Sequence, residues 1–178
     1  GMYFLYFPNT HQKIDFVLNE DQNFTLLMKS KNDIGSITIK DHEENAVFYE
    51  FLRFNETKSL EIRDDMILLD SLDPKTENSK IKKLQKKISP VRKEIEEYRK
   101  QIISDHPTFL ISAIFKASMP VIIPDLKEIE EDGERQNARY FYNRAHYLDN
   151  INLADERLVR TPQPILYDHL EYYTDKLT

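Results

Sequence analysis

The feature that most limits how this chain can fold is a run of apolar residues at Ile81, Leu84, Ile88, Val91, Ile95, Tyr98 and Ile102, spaced alternately three and four apart. Such spacing over three repeats draws one continuous stripe along a helix, the heptad seam of a helix that must lie against another. The helix would be a rod of roughly 33 Å at about 1.5 Å per residue. A stripe of this kind needs a facing surface, supplied by the same chain or by a second one, and the intramolecular solution is the commoner. Pro90 lies inside the run and removes the donor to the Lys86 carbonyl. The sequence therefore predicts a kink there, or a restart with Ser89 as cap and Pro90 as first helical residue.

Ahead of the seam the period is different. Met2 to Phe7 is a short aromatic run ended by Pro8-Asn9, and Ile14, Phe16 and Leu18 alternate with Lys13 and Asp15, with Val17 breaking the pattern. Phe24, Leu26 and Met28 share one face of a third segment, and Ile37 and Ile39 oppose Thr38 and Lys40 in a fourth over Ile34 to Lys40. These are four short strands, whose apolar face needs cover from the downstream helices or from strands further upstream. Asp41 and Glu44 have capping-box spacing, and Val47, Phe48, Phe51 and Leu52 follow at helical spacing. Ser59 to Leu72 reads as a separate helix, weaker in pattern and stopped by Asp73-Pro74.

After the seam, His106-Pro107 opens a helix to about Ser118 that is apolar nearly all round, which predicts a central position. Pro120 and Pro124 frame an extended connector, and the acid-rich Asp125 to Glu134 reads as an exposed loop or frayed helix. Ala138, Phe141, Ala145 and Leu148 then step by three, four and three, which predicts an amphipathic helix with those four residues inward. Thr161-Pro162 ends a turn capped by Asn152, and a last helix from about Pro164 carries Leu166, Leu170, Tyr173 and Leu177 on one face. The expected fold class is α+β, a short N-terminal antiparallel β-unit followed by a mostly α-helical array. Its expected division is a β-rich unit over 1–41, open on its N-terminal side, and a helical domain over 42–178. Three glycines are too few for a barrel or sandwich of many tight turns.

The chemistry is mostly one of exclusion. A net charge of −6 gives no general attraction to nucleic acid or an anionic bilayer. The lysines between Lys80 and Lys87 read as the solvated side of the seam helix, since Glu94, Glu96 and Glu97 follow on the same rod. The absence of cysteine removes thiol nucleophiles, thiolate metal sites and any CxxC redox pair from these residues. No His-x-x-x-His, Gly-x-Ser-x-Gly or glycine-rich phosphate loop occurs, so neither metal nor cofactor is expected, nor catalysis by this chain. No run of about 18 apolar residues is present to span a bilayer. Gly1 ahead of Met2 reads as a residue left by tag removal, so native residues are expected upstream.

Tyrosines, arginines and acids are densest between Asn137 and Pro162. Arg135, Arg139, Tyr140, Tyr142, Arg144, His146 and Tyr147 decorate the outer faces of the amphipathic helix, and His146 and Asp149 form a helical His and acid pair. Asp155 and Glu156 beside Arg157 and Arg160 read as a salt-bridged turn, because neighbouring guanidinium groups hold carboxylates ionised instead of raising a pKa for acid-base work. Tyrosine and arginine also anchor protein contacts, which makes Tyr140, Tyr142, Arg144, Tyr147, Arg157 and Arg160 the candidate partner-binding residues. The reading beside it is tyrosines that pack with their hydroxyls at the boundary.

YFYNRAHYLDNINLADERLVRTP, preceded by SDHPTFLISAIFKA, resembles the N-terminal region of secreted thioredoxin-like thiol:disulfide oxidoreductases of Gram-negative anaerobic bacteria, in the thioredoxin and alkyl hydroperoxide reductase-like family. Met2 to Phe7, IDFVLNEDQNFTL and EENAVFYEFLRF look like the same group, so the resemblance covers nearly the whole chain. It implies a periplasmic or envelope protein, often lipid-anchored, with a CxxC-bearing thioredoxin-like domain further toward the C-terminus as intramolecular partner. The chain departs from that pattern in holding no cysteine, and in Lys40-Asp41 where relatives often carry Gly-Ser. The expected role is a non-catalytic accessory domain that positions the redox module or binds its partners. The alternatives are a free-standing binding module for a peptide, glycan or lipid in the envelope, or a helical oligomerisation element built on the seam.

Overall fold

The computed structural model describes residues 1–19, 23–30, 33–161 and 165–177, with the backbone alone at position 34. It is an α+β fold: four N-terminal strands in two small antiparallel sheets, followed by five α-helices. The strands are β1 (Met2–Phe7), β2 (Gln12–Val17), β3 (Thr25–Met28) and β4 (Ile37–Lys40). The helices are α1 (Glu43–Ser71), α2 (Asn78–Asp105), α3 (Leu110–Ala117), α4 (Asp132–His146) and α5 (Ile165–Tyr172). The chain forms two compact units composed differently from the expected division at residue 41. One joins Gly1–Asp21 to Pro107–Thr178, and the other is Gln22–His106.

In the unit Gln22–His106, β3 and β4 pair in the register Thr25↔Lys40 to Met28↔Ile37. A 3-10 turn, Ile34–Ser36, takes the first part of the expected fourth strand, and the Ser36 hydroxyl accepts the Ser30 N–H at 3.1 Å. The chain enters α1 through Asp41 at φ 64, a left-handed conformation that aspartate tolerates better than most residues. That shifts the cap by one residue from the expected Asp41: His42 Nδ1 accepts the Asn45 N–H at 3.2 Å. Arg53 Nη1 donates to the Ile37 carbonyl at 3.1 Å and fastens α1 to the sheet.

α1 runs unbroken for 29 residues where the sequence predicts two helices. The polar turn Asn55 to Lys58 holds no apolar residue, yet the turns on both sides pack on α2. Phe54 meets Tyr98 edge-on at 4.7 Å, and Ile62 is buried with Leu84 and Ile88. Lys58 spans the gap itself, 2.7 Å from Glu94 of α2. Helix propensity needs no help over one turn when its neighbours are fixed. α2 is likewise continuous through Pro90, so the expected restart at Ser89 does not occur and the N-cap is Glu77. Lys86 and Pro90 are both exposed, which leaves the carbonyl deprived of its helical donor open to water.

The seam is intramolecular. Leu84 and Ile88 form a buried cluster with Ile62, and Met66, Leu69, Leu72 and Val91 pack around it. The Leu72 to Glu77 connection is short, which dictates antiparallel neighbours. It is tightened by Asp73 Oδ1, which accepts the Lys75 N–H at 2.9 Å.

In the other unit, β1 and β2 form a hairpin, Met2↔Val17 to Phe7↔Gln12, turned at Pro8 to His11 with His11 at φ 51. α3 is as central as expected, with Leu110, Ile111, Ser112, Phe115 and Ala117 all buried. α4 departs from its predicted orientation. Phe141 is 60% exposed, Ala145 is exposed, and no α4 residue is buried. Arg135 donates to the Ile129 and Glu130 carbonyls of the preceding loop and pairs with Asp132 at 3.0 Å. This sets the rotation of the helix, with Arg135, Ala138 and Tyr142 half-buried. Two alanines and one phenylalanine make too small an apolar face to override it. In the last segment Leu166 and Leu177 are buried and Leu170 and Tyr173 half-buried, the expected face. Its end, Tyr173–Leu177, is a π-helical turn. The expected stop at Pro162 and start at Pro164 lie outside the described residues.

Candidate functional site

The stretch from α4 to Thr161 ties the Gly1-containing unit together before it offers any surface. Asp155 caps the 3-10 turn Glu156–Val159 by accepting the Arg157 N–H at 3.1 Å. Its carboxylate also takes a fork from the Arg157 side chain, Nε to Oδ1 at 2.9 Å and Nη2 to Oδ2 at 2.8 Å. The guanidinium is the main cause holding the Asp155 carboxyl below its ordinary pKa, burial opposing and the Arg157 N–H helping. Arg157 Nη1 reaches back to the Thr108 carbonyl at 2.8 Å, the Arg160 carbonyl accepts the Met2 N–H at 2.8 Å, and Asn150 Nδ2 donates to the Met119 carbonyl at 3.1 Å. Leu158, 1% exposed, is buried within the turn they hold.

The six candidate binding residues fall into separate clusters. Tyr140 is exposed and rests edge-on against Phe141 at 5.5 Å. Tyr142 stacks on His146 at 4.2 Å, and His146 Nδ1 is paired with Asp149 Oδ2 at 2.6 Å. Arg144 is half-buried on α4, Arg157 is engaged with Asp155, and Arg160 is exposed. Tyr147, just past α4, meets α5 and the π-helical turn. It lies near parallel to Tyr172 at 5.2 Å and Tyr173 at 6.3 Å, and its hydroxyl is 3.0 Å from His169 Nδ1. Burial, and secondarily Tyr172, raise the Tyr147 pKa, so the phenol keeps its proton.

Tyr147, His169, Tyr172 and Tyr173 form a four-ring cluster, of which only Tyr147 is among the candidate binding residues read from sequence. Its signal was the pair Tyr172-Tyr173 three and four residues after His169, which put all three rings toward one end of α5. Nothing in local periodicity joins them to a tyrosine more than twenty residues away. Tyr172 is 47% exposed, so the cluster presents ring surface outward.

The other unit carries an open groove of about 670 Å³ lined by Phe54, Pro90, Lys93, Glu94, Glu97, Tyr98 and Gln101, none of them a candidate from sequence. Among the described residues no three His, Asp or Glu side chains converge to hold a metal ion, and no helix is long and apolar enough to cross a membrane. No family model, curated protein or solved structure matches the chain.

Proposed function

We propose that this chain is a non-catalytic accessory domain that binds a protein partner, in an envelope protein whose redox chemistry belongs to a thioredoxin-like module. The observation that carries partner binding is the aromatic cluster Tyr147, His169, Tyr172 and Tyr173, anchored beneath and exposed at Tyr172. Stacked tyrosines present a large, rigid contact area with few torsions left to freeze, which is why they concentrate binding energy. The thioredoxin-like module as partner and the periplasmic or lipid-anchored location rest on the resemblance. Oligomerisation through the seam is the weaker alternative, because Leu84 and Ile88 are buried against α1.

Titration of the chain into a purified thioredoxin-like domain from an envelope oxidoreductase tests this, followed by calorimetry. Saturable binding is expected, with Tyr147→Ala combined with Tyr172→Ala weakening it at least tenfold, the loss of two aromatic anchors at about 1–2 kcal/mol each. Binding unaffected by the double substitution would remove the cluster from the interface. The chain alone is expected to show no insulin reduction, since it has no thiol to exchange. A saturable rate from the pure chain would contradict the accessory role.

A further inference from the structure

We propose that the outer edge of β1 pairs with β1 of a second copy of this chain, joining two β1–β2 hairpins into one four-stranded antiparallel sheet. This goes beyond partner binding at the tyrosine cluster and rests on a different surface. Leu18 donates its N–H to the Gly1 carbonyl at 2.9 Å, and the Gly1 ammonium donates to the Leu18 carbonyl. That reciprocal exchange fixes the alternation of the ladder. Tyr3, Leu5 and Phe7 direct their backbone groups toward β2, while Met2, Phe4 and Tyr6 direct theirs away from it. The Met2 N–H behaves accordingly, reaching outward to the Arg160 carbonyl at 2.8 Å. Among the described residues, no backbone group is bonded to the outward N–H or C=O of Phe4 or Tyr6.

Phe4 and Tyr6 flank Leu5 symmetrically, which makes the edge complementary to itself. A two-fold axis through Leu5, normal to the sheet, sets Phe4 opposite Tyr6 of the second copy twice over, giving four backbone hydrogen bonds. Leu5 then meets Leu5 and Tyr3 meets Phe7 on one face, and Phe4 meets Tyr6 on the other, so every opposed pair is apolar or aromatic. The register ends naturally: Met2 is occupied by Arg160, and the residue it would face is Pro8, which has no N–H. Charge favours the same occupant. β1 holds no charged residue, so a chain of net charge −6 can approach itself along this edge without like charges meeting. The β2 edge differs, guarded by Lys13 and Asp15 in a 3.1 Å ion pair, as edges that avoid pairing usually are.

Tyr3, Phe4, Leu5, Tyr6 and Phe7 are 39–52% exposed. Covering them buries roughly 400 Å² per copy at most, about half of what a standard interface buries per partner, so the association is expected to be weak, with a Kd on the order of 100 µM. Sedimentation equilibrium of the whole chain should show that conversion, and Leu5→Lys, which sets two ammonium groups face to face on the axis, should abolish it. Leu5 is half-exposed, so that variant should keep the wild-type circular dichroism and melting temperature.

Single cysteines test the register in a chain that has none. Leu5→Cys faces itself in a non-hydrogen-bonded pair with Cα atoms about 4.5 Å apart, within disulfide reach, whereas Tyr6→Cys faces Phe4. Oxidation should cross-link Leu5→Cys at least tenfold faster than Tyr6→Cys. A monomer throughout, a dimer that survives Leu5→Lys, or equal cross-linking rates would each overturn the proposal. A monomer that takes up an extended apolar peptide along β1 would assign the edge to a different strand and overturn it too.

Discussion

Aspartate in place of Ile88 is expected to destabilise the α1–α2 hairpin by about 4 kcal/mol, because it buries an unpaired carboxylate where an alkyl side chain filled the seam. Ile88 is 2% exposed and lies with Ile62 and Leu84, with Met66, Leu69, Leu72 and Val91 around them. A loss of that size is a large part of what a domain has to spare. The helical signal of the purified variant should fall at a much lower urea concentration than wild type. Ile88→Ala, which leaves a cavity without a charge, should cost about 2–4 kcal/mol and remain folded in water. If the seam instead served a second chain, Ile88→Asp would leave a folded, well-behaved monomer. That result would move the facing surface out of the molecule.

The same residue shows what could be read from sequence and what could not. The three-four spacing through Ile81 and Ile102 required a partner helix, but the pattern that would name it is broken in α1 at Asn55 to Lys58. Continuity there depends on Phe54 against Tyr98 and Lys58 against Glu94, contacts between residues more than thirty positions apart. The alternation of β3 and β4 was legible because its period is two, and so was the apolar α3, but β2 buries both Ile14 and Val17, three residues apart and so on opposite faces. The orientation of α4 was not, since Arg135 sets it by hydrogen bonds to loop carbonyls that carry no side-chain signature. The tyrosine cluster fails in the same way: Tyr147 stood out by composition, while its ring partners come from beyond residue 165. Adjacency in this fold follows from closure of long segments, and short-range periods do not encode it.

Asp155 is the second position where one side chain supports several groups. Asp155→Ala removes the cap of the 3-10 turn and both prongs of the Arg157 fork, and so loosens the hold of Arg157 on the Thr108 carbonyl. A lost cap costs about 1 kcal/mol and the charged hydrogen bonds somewhat more, so about 2–3 kcal/mol of destabilisation is expected in urea at neutral pH. The pH dependence identifies the cause. The folded pKa of Asp155 lies below its ordinary 3.8, chiefly because Arg157 bonds to the ionised form. The ion pair therefore contributes fully above that ordinary value and is lost as pH falls through the lower, folded one. The stability difference between wild type and Asp155→Ala should be constant above roughly pH 5 and shrink below the ordinary pKa. Asp155→Asn, which keeps the capping oxygen and loses the charge, should fall between the two and show a flatter profile. A wild-type advantage over Asp155→Ala that stays unchanged into strong acid would mean that the carboxylate acts through its shape alone, without the charge that Arg157 clasps.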